Sequence, residues 1–237
     1  MARKYYLVFD TETCGLNPVN YIYDIAWRII DKKGVVYCER NFLNANLLMR
    51  PDLMKGAIYW KKWASHYNAI NIPIIPWAEI KRVFRDDMAS WNPSLVCAYN
   101  LGFDLSAITA TNKLLDCKVK MFHRADVQYL DLWHVSCMFL AGNKTYAQFA
   151  QSNGFVSEAG NLLTNCDVSC KFFLGYDEDE PHTAVGDTAF EADLLARFLR
   201  RKKKLPIVSD YRQMVKMPWR LVNPAGRGAY RKTPTVQ

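Results

Sequence analysis

The chain predicts an α/β fold: a mixed five-stranded sheet with helices on both faces. Three observations lead there. Two strand-like runs flank Lys32-Lys33-Gly34, a hairpin signal that requires antiparallel pairing. Two later apolar runs, at 94–99 and 127–132, are set apart by helical patterns, which requires parallel pairing through crossovers. Half of the 237 residues are apolar, enough to bury a core between layers.

Each element has its own local signal. Residues 5–10 form a compact apolar run that ends on a carboxylate and reads as a central strand. Gly15-Leu16-Asn17-Pro18 is the loop after it. Residues 24–31 and 35–43 are the hairpin strands. Trp77, Ile80, Val83 and Phe84 recur at helical spacing and predict a helix over 77–88. The strand at 94–99 closes on Asn100, and a helix follows to about Leu115. The strand at 127–132 leads into a helix over 133–140. Thr145 caps a short helix to Ser152, ended by Asn153-Gly154. Residues 155–180 have no clear period and read as irregular. Val185, Ala189, Ala192, Leu195, Ala196 and Leu199 predict a long helix over 183–203, which the basic run Arg200–Lys204 continues.

The charge is unevenly placed. The net charge is +8, yet eleven of the 31 Lys/Arg and only one acid, Asp210, lie from Arg200 onward. The rest of the chain is slightly acidic. A near-neutral body with a basic end predicts a polyanionic partner. The division expected is a domain over 1–204 and an extended basic arm over 205–237. Seven cysteines, an odd number, several within apolar runs, fit reduced thiols in a cytoplasmic protein. No apolar run approaches a membrane span, and the N-terminus runs directly into a strand-like segment.

Candidate chemistry lies in three blocks: Asp10-Thr11-Glu12-Thr13, Asn100-Leu101-Gly102-Phe103-Asp104, and His182 to Asp187. In a strand, residues 10 and 12 project to one face, so Asp10 and Glu12 present paired carboxylates. Such a pair repels itself unless a divalent cation neutralises it. Asp104 falls in the first turn of the helix after a buried strand, with Asn100 at the strand end. His182 and Asp187 come together if His182 sits on the loop before the last helix and Asp187 inside it. A neutral imidazole is a suitable base near pH 7. Taken singly, each has a plain alternative: a solvated strand end, a helix-dipole acid, a surface histidine.

Together the three blocks resemble the DnaQ-like, DEDDh group of 3′–5′ exonucleases within the ribonuclease H-like superfamily. The resemblance rests on Asp-Thr-Glu-Thr-x-Gly-Leu-Asn-Pro at 10–18, Asn-x-x-Phe-Asp at 100–104 and His-x-x-x-x-Asp at 182–187. It covers roughly residues 4–201. The tyrosine subgroup would need Tyr where Thr183 stands, so the histidine subgroup fits. Cys14 departs from the small or hydroxyl residue usual at its position. The resemblance implies a ribonuclease H-like sheet and two Mg²⁺ or Mn²⁺ ions on Asp10, Glu12, Asp104 and Asp187, with His182 as base. It implies hydrolysis at the 3′ end of single-stranded DNA or RNA, DNA slightly favoured, to nucleoside 5′-monophosphates. It also implies that Thr11, Thr13, Leu16, Asn100 and Phe103 contact the terminal nucleotides. A polymerase or other replication protein would be a partner in trans.

The alternatives are a non-catalytic nucleic-acid-binding or polymerase-docking module on the same fold, and a small-nucleotide hydrolase, which the basic end disfavours. Cys166-x-x-x-Cys170 lacks the second pair a zinc site needs. Lys55, Lys61 and Lys62 interleave with Tyr59, Trp60 and Trp63, either as a strand-tracking patch or as a solvated face over aromatics. Asp131 reads as structural.

Overall fold

The computed structural model describes residues 3–15, 20–60, 71–118, 121–122 and 127–226. A mixed sheet carries the architecture, in the order β4-β3-β2-β1-β5-β6. Strands β1 (Tyr6–Cys14), β2 (Tyr21–Ile30) and β3 (Val36–Asn44) form an antiparallel meander. On the other side of β1, β5 (Val96–Ala98) and β6 (Tyr129–Asp131) pair in parallel. The sheet has one strand more than the five expected. The addition is β4 (Ile74–Ile75), two residues paired with the end of β3, too short to leave an alternating pattern.

Alternation along β1 builds the two cores. Leu7 and Phe9 pack on one face with Trp77, Ile80 and Phe84 of α3 (Trp77–Trp91) and with Leu105 and Ile108 of α4 (Leu101–Leu114). Tyr6 and Val8 pack on the other, against Leu194, Leu195 and Phe198 of α8 (Ala184–Leu199). The short α1 (Ala45–Leu48) and α2 (Pro51–Met54) help close the far end of the meander in a third cluster. Helices α5 (Leu132–Leu140) and α6 (Lys144–Ser152) follow β6. The cap of α6 is Asn143, whose side chain accepts the Tyr146 N–H, rather than Thr145.

Two further helix expectations need correction. The segment 155–180 is not irregular throughout: α7 (Cys166–Leu174) lies within it. Its nine residues include Cys166, Val168 and Cys170 as buried positions, too few to reveal a period. The last helix ends at Leu199, with Arg200 as its cap, so the basic run 201–204 lies outside it. No helix among the described residues is long and apolar enough to cross a membrane.

The stretch from 205, expected as an extended arm, lies back on the body as far as Gly226. Val208 and Tyr129 exchange backbone hydrogen bonds of 2.8 and 3.0 Å. A 3₁₀ turn, Pro218–Leu221, packs against α5 with Trp219 2% exposed. Asn223 then bonds both backbone groups of Leu162, at 2.8 and 3.1 Å. Burial of one large aromatic explains what charge counting missed. Trp219→Ala is accordingly expected to cost about 3–5 kcal/mol, read from urea unfolding. A loss below about 1 kcal/mol would mean that Trp219 does not hold this segment on the body.

Candidate active site

Three chain segments deliver the acidic groups to one end of the sheet. Asp10 and Glu12 lie on β1, opposite Ala26 and Asp24 of β2. By alternation they face the α8 side, as Tyr6 and Val8 do. A register shift after Glu12 breaks that alternation, and Cys14 turns away to contact the Tyr21 carbonyl at 3.3 Å. Asp104 sits in the first turn of α4. It is pinned from the opposite face of β1, where the Thr11 hydroxyl donates to its Oδ1 at 2.7 Å. Asp187 lies in the first turn of α8, and its Oδ1 accepts the backbone N–H of His182 at 3.0 Å.

His182 is on the loop just before α8, as the spacing requires. Its φ of +57° is left-handed, a conformation that histidine tolerates better than most residues. Thr183 caps the helix by accepting the Gly186 N–H. Gly186 is required by packing: a Cβ there would lie 2.3 Å from Pro181. Asp24, fully buried, accepts the Ala184 N–H at 3.0 Å and so ties the start of α8 to β2. Helix α7 holds the preceding loop. Lys171 donates to the carbonyls of Asp177 and Glu178 at 3.0 and 2.9 Å and pairs with Asp179 at 3.0 Å.

These contacts bring together Glu12, His182 and Asp187, whose ligand atoms all lie within 4.8 Å of one another. The Tyr59 ring stacks on the imidazole, 4.2 Å between centroids and 15° between planes. Asp10, Asp187, Glu180 and Glu191 border a cleft of about 330 Å³ with Tyr99, Asn100 and Trp133. A second cleft of about 570 Å³ shares Asn100 and is lined by Phe103, Ser106, Tyr211, Arg212 and Lys216.

The electrostatics are those of a crowded anionic site. Burial, then the charges of Asp187 and Asp104, hold the Asp10 pKa well above the carboxylate range. Burial and Asp10 do the same for Glu12. Burial and Glu180 raise Asp187, against the opposing pull of the His182 N–H. Burial pushes Asp104 up to about 8 despite the Thr11 hydrogen bond. Asp10 Oδ2 is buried with no hydrogen-bond partner among the described residues. Hard oxygen donors, one of them orphaned, with their charges unneutralised, are a donor set that Mg²⁺ or Mn²⁺ fits.

A raised carboxylate pKa has a definite sign in stability. The contribution is fully present below the unfolded value, near 3.9, and is lost as pH rises through the folded value, about 8 for Asp104. Metal-free protein should therefore melt progressively lower from about pH 4 to about 8, and Asp104→Asn should flatten that slope. Equal slopes in thermal melts of the two proteins would remove Asp104 as the responsible group. Divalent cations should offset the loss.

The remaining expected residues fall as follows. Thr13 donates to the Gly15 carbonyl at 3.2 Å. Asn100 is left-handed, φ +65°, and its backbone N–H donates to Asp131 at 3.0 Å. Asp131 also accepts the Trp133 N–H at 2.9 Å and caps α5. Cys166 and Cys170 are buried neighbours on α7, Sγ to Sγ 4.0 Å. Leu16, Lys61, Lys62, Trp63, Arg227, Arg231 and Lys232 lie outside the described residues. Sequence reasoning missed Asp24, Tyr59 as a partner of His182, Glu180 and Glu191. Asp24 had a signal, an acid amid apolar strand residues. Glu191 had one too, its place one turn after Asp187. Tyr59 had none.

No family model and no curated protein matches the chain. Among solved structures, it is similar to E. coli Exonuclease I in complex with a dT13 oligonucleotide, with a TM-score of 0.53 and 15% sequence identity. The match covers 84% of this chain and 42% of that one, so the chain spans less than half of that protein's length. At this identity the likeness shows a shared fold and nothing finer.

Proposed function

We propose that this chain is a metal-dependent 3′–5′ exonuclease that acts on single-stranded nucleic acid, DNA slightly favoured over RNA, and releases nucleoside 5′-monophosphates. One observation carries the reading. Acids from three blocks spread between residues 10 and 187 meet at one end of the sheet, with a histidine within 4.8 Å of two of them. The fold likeness to Exonuclease I, seen with a single-stranded oligonucleotide, supports the substrate class.

Asp10, Glu12, Asp104 and Asp187 would hold two Mg²⁺ or Mn²⁺ ions. Bound there, the ions would supply an activated water and a stabilised leaving 3′-oxygen. His182 takes up the proton of the attacking water at a ring nitrogen, its plane set by Tyr59. Thr11 orients Asp104, while Asp24, Thr183 and Lys171 fix the loop and helix that carry His182 and Asp187. The cleft beside Asn100, with Phe103 and Tyr211 in its walls, offers apolar faces to bases next to the scissile bond.

The test is incubation of purified protein with 3′- and 5′-labelled DNA and RNA oligonucleotides, with Mg²⁺, Mn²⁺ or EDTA. The expected result is mononucleotide release from the 3′ label and stepwise shortening of the 5′-labelled strand, both stopped by EDTA. Binding without shortening under either cation would leave the non-catalytic module as the function.

A further inference from the structure

Glu191 lies one turn beyond Asp187 on α8, so the two carboxylates share a helix face. It is 2% exposed, and among the described residues it takes part in no ion pair. Its Oε2 has no hydrogen-bond partner among the described residues. A buried carboxylate oxygen without a partner is costly. Glu191 borders the same 330 Å³ cleft as Asp10 and Asp187, and the Oδ2 of Asp10 is orphaned in the same way. Burial, then the charges of Asp10 and Asp104, raise the Glu191 pKa, while the Tyr99 backbone amide favours its ionised form. Two unpartnered carboxylate oxygens on residues that border one cleft point to a cationic occupant.

We propose that Glu191 is a fifth acidic member of the cation-holding set: a positioning residue whose Oε2 accepts a hydrogen bond from the hydration shell of a divalent cation held by Asp10 and Asp187. The proposal rests on the metal-dependent reading above. Mg²⁺ and similar hard cations retain several waters in protein sites, and a carboxylate beside the site orients them. Removing an outer partner of this kind typically costs about 10–100-fold in metal affinity.

The experiment titrates the full chain with Mn²⁺, following free ion by its paramagnetic resonance signal and the protein by thermal shift. Wild type, Glu191→Gln, Glu191→Asp and Asp10→Asn are compared without substrate. Glu191→Gln keeps the shape and removes the charge. It should bind one Mn²⁺ about 10–100-fold more weakly, while its metal-free form melts at or above the wild-type temperature because a like charge has gone. Asp10→Asn should lose at least as much affinity. A Glu191→Gln isotherm identical to wild type would overturn the proposal and leave the exonuclease reading standing. If Glu191→Gln does not fold, Glu191→Asp decides. A roughly tenfold weaker isotherm sustains the proposal, and wild-type affinity overturns it. Wild-type protein that binds no Mn²⁺ at all would overturn both this proposal and the metal-dependent reading.

Discussion

Asp10→Ala is expected to abolish nucleotide release, the largest effect of any single change in this protein. Burial, then the charges of Asp187 and Asp104, push the Asp10 pKa upward. Its Oδ2 is buried without a partner among the described residues. Removing this side chain takes away one of the carboxylates that would hold the cations needed for hydrolysis. It also relieves repulsion, so the metal-free variant should melt no lower than wild type. Loss of activity with a retained or raised melting temperature separates a chemical role from a folding defect. Robust release by Asp10→Ala, or by wild type in excess EDTA, would end the two-metal reading.

His182→Ala should lower the maximal rate by roughly 10²–10⁴-fold, the usual scale for a general base. Substrate binding should change far less, because the cations and the cleft walls remain. The geometry supports this split: the imidazole stacks on Tyr59 and sits within 4.8 Å of Glu12 and Asp187 oxygens. At saturating cation the wild-type rate should rise with pH as the ring becomes neutral and able to accept a proton. Saturation matters because Asp104, with a pKa of about 8 in metal-free protein, otherwise releases a proton when a cation binds. If His182→Ala and wild type trace one pH–rate curve, another group is the base.

The positions around the site explain why single residues of the last block are not interchangeable. Gly186 has no room for a side chain against Pro181, and His182 holds a left-handed backbone. The loop before them is fastened by Lys171 and by the Glu180 N–H, which donates to Asp167 at 3.3 Å. Both anchors come from α7, the helix that had no visible period.

The sequence alone was enough for the features that repeat locally. The hairpin at Lys32-Lys33-Gly34, the apolar run of β1 and the helical spacing of α3 and α8 each follow from a period or a turn signal confined to a few residues. The same holds for Asp10 and Glu12 sharing a face and for His182 preceding a helix that contains Asp187. Tertiary structure decided the rest. Whether Thr11 meets Asp104, 93 positions away, or Tyr59 meets His182 depends on how distant segments pack. So does the fate of the stretch from 205, where charge predicted an arm and the burial of Trp219 laid it on α5. Glu191 makes the division plain. Its spacing from Asp187 was visible in the chain, but its cost was not, because an orphaned oxygen exists only once the surrounding chain has excluded water from it.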